Sequence, residues 1–301
     1  MHANTAKGRR RKEALLPYFL LTPALVLLVG MVYPFGLGLY YSFTNYWLQY
    51  PKRFKFVWFD NYINLLDEPL FGRALEFTLG FTVAAVVIQV GLGLAIALFL
   101  HGRIPGRGAI RAMMLLPLMM PPVISALMWK ILMASTNAGI LNYLLSFAGI
   151  DPINWFGSTR GAVASVLIID TWGNLPFVAL ILLGGLQALP SEPYEAARVD
   201  GASPFAMLRY ITLPLLAPFL ILAITFRTMD SLRIFDVIYA TTLGGPNDAT
   251  TNLHIMAYQY AFQWYQMGKG MAQAVVLLLL VVMVSYLLIS LWNRSAESNA
   301  Q

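Results

Sequence analysis

The chain has 301 residues, of which 58% are apolar and 11% are charged, and its formal net charge is +6 at pH 7. A soluble domain carries roughly 25% charged residues, so this composition indicates a membrane protein and leaves a soluble protein with an unusually apolar core as the alternative. With no cysteine the chain excludes thiol catalysis, disulfide frameworks and cysteine-ligated zinc, and its three histidines disfavour a histidine-rich metal site.

Long stretches without charge predict the membrane spans. A helix needs roughly 20 mostly apolar residues to cross a hydrocarbon core of about 30 Å. One such stretch, 161–187, is apolar except for Asp170, and Met119 and Met120 precede Pro121-Pro122 where another would bend. The sequence therefore predicts an all-α, polytopic membrane protein with six transmembrane helices. The predicted spans are 15–41, 77–100, 110–133, 161–187, 210–236 and 271–292.

The first span has the basic leader and apolar run of a signal peptide, which is the alternative interpretation. The run is long, contains Pro23 and shows no clear small-x-small cleavage site, and these features favour a membrane helix. We therefore expect a basic tail over 1–13, a first helix with its outer loop over 14–74, and a transmembrane core over 75–292.

Lysine and arginine predict the orientation, because they accumulate on the cytoplasmic side of a membrane. We expect both termini in the cytoplasm, including a short tail at 293–301. The basic tail favours topology and contact with anionic lipid over nucleic-acid binding. A basic outer loop is the exception to the rule. The cytoplasmic basic residues are Lys7, Arg9, Arg10, Arg11, Lys12, Arg103, Arg107, Arg111 and Arg294, and the outer ones are Lys52, Arg53 and Lys55.

The loop over 190–212 carries two helix-start signals. Ser191 followed by Pro193 and Ser203 followed by Pro204 are typical N-terminal pairs. Gly201 can adopt the left-handed conformation that ends a helix. A capped, solvated connecting loop would explain these signals, and a docking element for another protein is the alternative.

The spacing of this loop resembles the signature of inner-membrane permeases of binding-protein-dependent ABC importers. Further motifs, such as Thr242 to Pro246, are similar to the carbohydrate-uptake branch, the maltose, trehalose and glycerol-phosphate type. The resemblance implies the type I ABC importer permease fold and a location in the plasma (inner) membrane of a prokaryote. It also implies that this loop is the coupling helix that docks on a cytoplasmic ATPase. The signature falls on Glu195, Ala196, Ala197, Gly201, Ile211, Leu213 and Pro214. The coupling residues that it implies are Glu195, Ala196, Ala197, Asp200, Gly201 and Ala202.

The resemblance further implies the partners and the mechanism. They are a second permease subunit, in this branch often a different chain, two ATPase subunits that hold ATP and Mg, and an extracytoplasmic solute-binding protein. This chain itself then needs no cofactor and no metal, and it forms the path for a sugar by alternating access. A di- or oligosaccharide of the trehalose or maltose type is expected, and glycerol phosphate or another polyol is the alternative.

Ionisable residues inside the predicted spans are costly and are functional candidates. Four charges at the end of the fifth span lie three residues apart, on one stripe of a helix, where neighbours can pair. A second cluster surrounds Asp170 in the fourth span. Each cluster either binds solute hydroxyls or only pairs within the bundle. The substrate-path candidates are Asp170, Trp172, Asn174, Arg227, Asp230 and Arg233, with Asp236 completing the stripe.

A membrane enzyme and an ion-coupled secondary transporter are the two other classes of function to which a membrane protein of this kind could belong. The chain lacks a Walker-type phosphate loop, an HExxH motif and a Gly-x-Ser-x-Gly elbow. Because these motifs are missing, the chain is expected not to be an enzyme. A membrane enzyme, the alternative, would show activity with this polypeptide alone. An ion-coupled secondary transporter would transport without a partner ATPase.

Overall fold

The computed structural model describes residues 3–102, 105–136 and 139–298, and the side chains within them from residue 20 to residue 290. The described residues are predominantly helical, and they contain no β-strand beyond an isolated bridge between Thr44 and Phe56. The helices are α1 Ala3–Ser42, α2 Asp60–Leu66, α3 Pro69–His101, α4 Arg107–Met119, α5 Pro122–Leu132, α6 Ile140–Ser146, α7 Thr159–Ala188, α8 Glu192–Val199, α9 Pro204–Met207, α10 Leu213–Leu232, α11 Asp236–Thr241, α12 Leu253–Tyr258 and α13 Met267–Ser298, with π-helical turns at Leu208–Thr212 and Gln259–Gln263.

Five described helical segments are long and apolar enough to cross a membrane, and a bent pair, α4 with α5, accounts for a sixth. The all-α, polytopic prediction is therefore confirmed. The five segments are Leu20–Ser42, Pro69–His101, Thr159–Ala188, Pro204–Leu232 and Met267–Ser290. Arg103 lies outside the described residues, as do the side chains of the N-terminal basic cluster and of Arg294.

The third predicted span is not one straight helix, because α4 and α5 meet at an angle of 99°. Met120 is extended, with φ −81° and ψ 133°. A residue before proline is pushed out of the helical region, and a proline is tolerated in the first turn of a helix. Pro121 therefore ends α4 and Pro122 begins α5. The bend predicted from these prolines is present, and it divides the span in two.

The fifth predicted span is wrong at both ends. It begins at Pro204 rather than at residue 210, because α9 continues through the π-helical turn into α10. Pro214 has no N–H to donate to the carbonyl of Tyr210, and the widened turn accommodates this gap. At the other end α10 stops at Leu232, and Asp236 is the first residue of the separate helix α11. The expected stripe of four charges is therefore not on one continuous helix.

The centre of the bundle consists of α3, α7 and α10. Glycines allow these helices to approach closely. A Cβ on Gly93 would lie 2.6 Å from Cγ1 of Val178, and a Cβ on Gly185 would lie 2.5 Å from Cγ of Phe219. One apolar cluster fills the space between these three helices at the end of the bundle that is nearest to α8. Its buried members are Ala97, Leu100, Val178, Leu182, Leu183, Leu186, Leu216 and Ala223.

A second apolar cluster lies towards the opposite end, where the longer connecting segments meet. Its buried members are Phe81, Ala85, Ala126, Met133, Val166, Ile169, Ile234, Val237, Ile238 and Ile255. Between the two clusters α3, α7 and α10 each contribute a buried polar side chain, so a polar layer separates two apolar ones.

The connecting segments at this opposite end are held together by hydrogen bonds to backbone carbonyl groups. Asn61 is buried and donates to the carbonyls of Ser42 and Thr44, both at 2.8 Å. The N–H of Gly268 donates to the carbonyl of Tyr46 at 3.0 Å. A Cβ at Gly268 would lie 2.0 Å from the carbonyl oxygen of Thr44, so only glycine fits this crossing.

Candidate functional site

The loop at the α8 end is a helix–turn–helix of short, exposed elements. Gly201 has φ +74°, the left-handed conformation predicted for the end of α8. The Ser203 hydroxyl accepts from the N–H of Ala206 at 3.2 Å and caps α9, as its sequence predicts. Ser191 does not cap α8, because its backbone is already helical, at φ −79° and ψ −25°, and its side chain makes no capping bond.

Large apolar side chains of this loop are exposed to an unusual degree. Val199 is 88% exposed, Tyr210 72% and Phe205 69%. Of the expected coupling residues, Glu195, Ala196, Asp200 and Gly201 are exposed, whereas Ala197 and Ala202 are half-buried. Exposed apolar groups in a charged helical loop are typical of a protein–protein contact surface.

Tyr194 fixes the position of α8 against the bundle. Its hydroxyl donates to Oγ1 of Thr212 at 3.1 Å, which joins α8 to the base of α10. A cavity of about 400 Å³ separates α8 from the ends of α3 and α7, and Glu195 and Arg198 both line it. Glu195 and Arg198 lie three residues apart and could pair, but they form none of the ion pairs of the described side chains.

The polar layer of the bundle is a buried ion pair with amide partners. Nη2 of Arg227 donates to Oδ2 of Asp170 at 3.0 Å, and the two side chains are 1% and 5% exposed. Nε of Arg227 donates to Oε1 of Gln89 at 2.6 Å, and Nε2 of Gln89 donates to Oδ2 of Asp170 at 2.8 Å. Nδ2 of Asn174 donates to the other carboxylate oxygen of Asp170 at 2.9 Å, and Oγ of Ser231 accepts from Arg227 at 3.0 Å.

This arrangement satisfies charges that would otherwise be costly within a membrane, because each is paired and hydrogen-bonded. It joins α3, α7 and α10 through one guanidinium group. The sequence prediction placed Asp170 and Asn174 in one cluster and Arg227 in another; the structure joins the two clusters, and it does so with Gln89, which the prediction missed. A glutamine within an otherwise apolar span was the signal that could have found it.

A cavity of about 370 Å³ opens from this buried pair towards the end of the bundle opposite to α8. Asp230 and Arg233 are 50% and 61% exposed, and Nη2 of Arg233 donates to Oδ1 of Asp230 at 3.0 Å. Asp230 also lies 3.6 Å from Nη1 of Arg227, so the predicted pairing along α10 is present as far as Arg233. Asp236 lines the same cavity from α11.

The described lining also contains a residue that the sequence prediction missed. His254 of α12 lines the cavity, and its Nδ1 lies 2.9 Å from the carbonyl oxygen of Arg233. Nothing in its sequence neighbourhood marks it, because the contact joins segments 21 positions apart.

Trp172 stands apart from the other candidates. It does not line the cavity of about 370 Å³, and its ring packs against Trp129 of α5 with centroids 5.7 Å apart. Lys130, the neighbour of Trp129, donates to the carbonyl of Ala240 at 3.4 Å. The structure therefore groups five of the six predicted path residues and places the sixth between α5 and α7.

Comparisons with known proteins agree with this architecture. Residues 89–297 match the family described as binding-protein-dependent transport system inner membrane component. The trehalose/maltose transport system permease protein MalF of Thermococcus litoralis is 38% identical over 293 residues, with 97% of each chain covered. The trehalose transport system permease protein SugA of Mycobacterium tuberculosis is 33% identical, with 96% of this chain and 92% of that protein covered.

The fold agrees with solved structures as well. A chain of a bacterial ABC transporter involved in the import of the acidic polysaccharide alginate superimposes with a TM-score of 0.80 at 21% identity, over 97% of this chain and 99% of that one. This likeness covers the whole bundle, including the broken helix and the α8 loop. The chain is accordingly a multi-pass membrane protein of the binding-protein-dependent transport system inner membrane component family, with the type I fold of ABC importer permeases.

Proposed function

We propose that this chain is a permease subunit that forms the translocation path for a neutral sugar, a di- or oligosaccharide of the trehalose or maltose type. The observation that carries the proposal is the polar cavity beside the buried Asp170–Arg227 pair. Relatives at 33% and 38% identity over nearly the whole chain are named as trehalose and trehalose/maltose permeases. These names describe the relatives, and in this chain the supporting chemistry is that of the cavity.

The charges of the cavity favour a neutral solute. Three carboxylates and two guanidinium groups line it, so it carries no surplus of positive charge for an anion. The donors of Arg227 are largely used by Asp170, Gln89 and Ser231. A phosphorylated solute would have to rely on Arg233, which is already paired with Asp230. Hydroxyl groups can instead donate to Asp230 and to Oδ1 of Asn174, whose amide nitrogen already donates to Asp170.

In this proposal the α8 loop is the coupling helix. Its exposed apolar side chains and its fixed turn at Gly201 suit docking on a cytoplasmic ATPase. Movement of such a rigid element can tilt the helices to which it is attached, here α7 and α10. We place the loop and both termini in the cytoplasm, and the cavity mouth towards the extracytoplasmic side.

The remaining partners follow from the same proposal. An extracytoplasmic binding protein delivers the sugar, a second permease subunit completes the path, and two ATPase subunits hold ATP and Mg. This chain then holds neither cofactor nor metal. An ion-coupled transporter and a glycerol-phosphate or polyol permease are the competing functions.

Reconstitution tests the proposal. The complete importer is placed in proteoliposomes with ATP inside, and uptake of radiolabelled trehalose, maltose and glycerol 3-phosphate is measured. We expect ATP-dependent uptake of a disaccharide that requires the binding protein. Uptake driven by an ion gradient without ATP, or ATP-dependent uptake of glycerol 3-phosphate alone, would contradict the proposal.

Variants of the cavity refine the test. Asp230→Ala and Asn174→Ala are expected to slow uptake, because both lose groups that face the cavity. Asp248→Ala is the matched control, since Asp248 is an exposed carboxylate that pairs with Arg73 at 3.6 Å and does not line the cavity. Unchanged uptake in the two cavity variants would make these side chains structural only.

A further inference from the structure

An aromatic cluster continues the cavity beyond its polar lining. Phe235 lines the cavity, and its ring stacks on Tyr239 with centroids 5.2 Å apart and an interplanar angle of 16°. Tyr258 contacts both rings, at 5.4 Å from Phe235 and 5.1 Å from Tyr239. Phe262 extends the cluster at 5.4 Å from Tyr258. The four rings, Phe235, Tyr239, Tyr258 and Phe262, are called the aromatic ladder below.

The ladder is accessible and partly polar. Phe262 is 52% exposed and Tyr239 is 37% exposed, so the cluster is not a closed core. The two tyrosine hydroxyls lie 3.2 Å apart at the exposed edge. A second connection to the cavity passes through His254, whose ring centroid is 4.8 Å from that of Phe235. A solute leaving the polar lining would therefore meet rings and hydroxyls together.

Rings bordered by hydroxyls have the chemistry of a saccharide surface. The face of an aromatic ring carries partial negative charge and attracts the partially positive C–H groups of a pyranose, while phenolic hydroxyls exchange hydrogen bonds with sugar hydroxyls. The exposed face of α13 differs, because it consists mainly of aliphatic residues such as Leu279, Val282 and Leu287. The ladder thus presents rings and hydroxyl groups where this face of α13 presents mainly aliphatic side chains.

We propose that the aromatic ladder is a sugar-stacking subsite next to the polar cavity, and that its ligand is a saccharide of at least two rings. One ring occupies the cavity beside Asp230, and the next lies on Tyr239 and Tyr258. The ring centroids of Phe235 and Tyr258 are 5.4 Å apart, and so are those of Tyr258 and Phe262, so the rings form a continuous row of contacts that includes the cavity residue Phe235. This inference rests on the proposed function and specifies the ligand as an oligosaccharide rather than a monosaccharide.

The test measures binding directly on the complete importer in lipid nanodiscs, without the binding protein. Saturation-transfer NMR and titration compare glucose, trehalose, maltose and maltotriose. We expect a disaccharide to bind more tightly than glucose and to receive saturation on both of its rings. Leucine removes both the flat ring face and the hydroxyl, so Tyr239→Leu and Tyr258→Leu should each reduce the disaccharide advantage by about 2- to 10-fold.

Conservative and distant variants separate stacking from folding. Tyr239→Phe and Tyr258→Phe keep the rings and should retain most of the advantage. Tyr143→Leu is the matched control, because Tyr143 is an exposed tyrosine in another aromatic pair, 5.0 Å from Phe147, and does not line the cavity. A disaccharide advantage that survives both Leu substitutions, or that is lost equally in Tyr143→Leu, would overturn the inference while the proposed function stands. An unaltered importer that neither binds nor takes up any of these sugars would overturn both.

Discussion

Removal of Arg227 is the sharpest test of the buried polar layer. The substitution Arg227→Met keeps most of the side-chain volume and removes the ion pair with Asp170 at 3.0 Å and the hydrogen bond to Gln89 at 2.6 Å. Asp170 is 5% exposed and would keep only the amide donors of Gln89 and Asn174, at 2.8 and 2.9 Å. Breaking one side of a buried pair costs about 3–5 kcal/mol, because the remaining charge stays uncompensated.

The measured quantity is the apparent melting temperature of the detergent-solubilised importer. At about 2 °C per kcal/mol for a chain of this size, Arg227→Met should melt roughly 6–10 °C lower. The double variant Asp170→Asn with Arg227→Met removes both charges and should recover much of this loss. With the single variant Asp170→Asn it completes a double-mutant cycle, in which we expect a coupling energy of at least about 2 kcal/mol.

A surface pair of the same type provides the control. Arg233 pairs with Asp230 at the same 3.0 Å but both side chains are at least half exposed, and such pairs contribute roughly 0–1 kcal/mol. Arg233→Gln should therefore melt within about 2 °C of the unaltered protein. If Arg227→Met melts no lower than Arg233→Gln, or if the double variant is no more stable than the single one, the assignment of the buried pair as a structural joint is wrong.

Two further predictions concern the coupling loop and the helix contacts. Gly201→Val should reduce uptake while ATP hydrolysis persists, because φ is +74° at this position and a left-handed conformation costs an L-residue about 1–2 kcal/mol. Glu195→Ala should likewise uncouple ATP hydrolysis from uptake, because it loses a contact with the ATPase. A normal ratio of sugar taken up to ATP hydrolysed in both variants would refute the assignment of this loop as the coupling helix. Gly93→Ala should lower the melting temperature of the importer, since its Cβ would lie 2.6 Å from Val178. Gly91→Ala is the control, because its Cβ would meet nothing within 4 Å, and it should leave the melting temperature unchanged. Equal melting temperatures for the two variants would contradict the close contact between α3 and α7.

The spans were predictable because their signal is local. Apolar stretches of sufficient length can be found by counting residues, and five of the predicted spans overlap continuous helical segments, although their ends differ. The same holds for Gly201, where a single residue type reports a backbone conformation. Local signals also predicted the bend at Pro121. Its angle of 99° could not be predicted, because it depends on how α4 and α5 pack, and that packing has no local signal in the sequence.

The site was only partly predictable because its partners are distant in sequence. Arg227 and Asp230 lie on one helix and could be paired by spacing, whereas Gln89 reaches Arg227 across 138 positions. Trp172 was grouped with Asp170 on the basis of proximity, but the helical turn directs it to Trp129 instead. The stripe ending at Asp236 failed for a different reason, since α10 ends before it at Leu232.

Cysteine accessibility tests the central claim, that a sugar passes through the cavity beside Asp230, most directly. The sequence contains no cysteine, so Asp230→Cys introduces the only thiol of this chain. A membrane-impermeant maleimide can report it in the reconstituted importer once the subunits are separated on a gel, and Asp248→Cys is the exposed control outside the cavity. Labelling of Asp230→Cys should slow several-fold in the presence of the transported disaccharide, while labelling of Asp248→Cys remains unchanged. Equal labelling of Asp230→Cys with and without the sugar, in an importer that still transports it, would contradict the account.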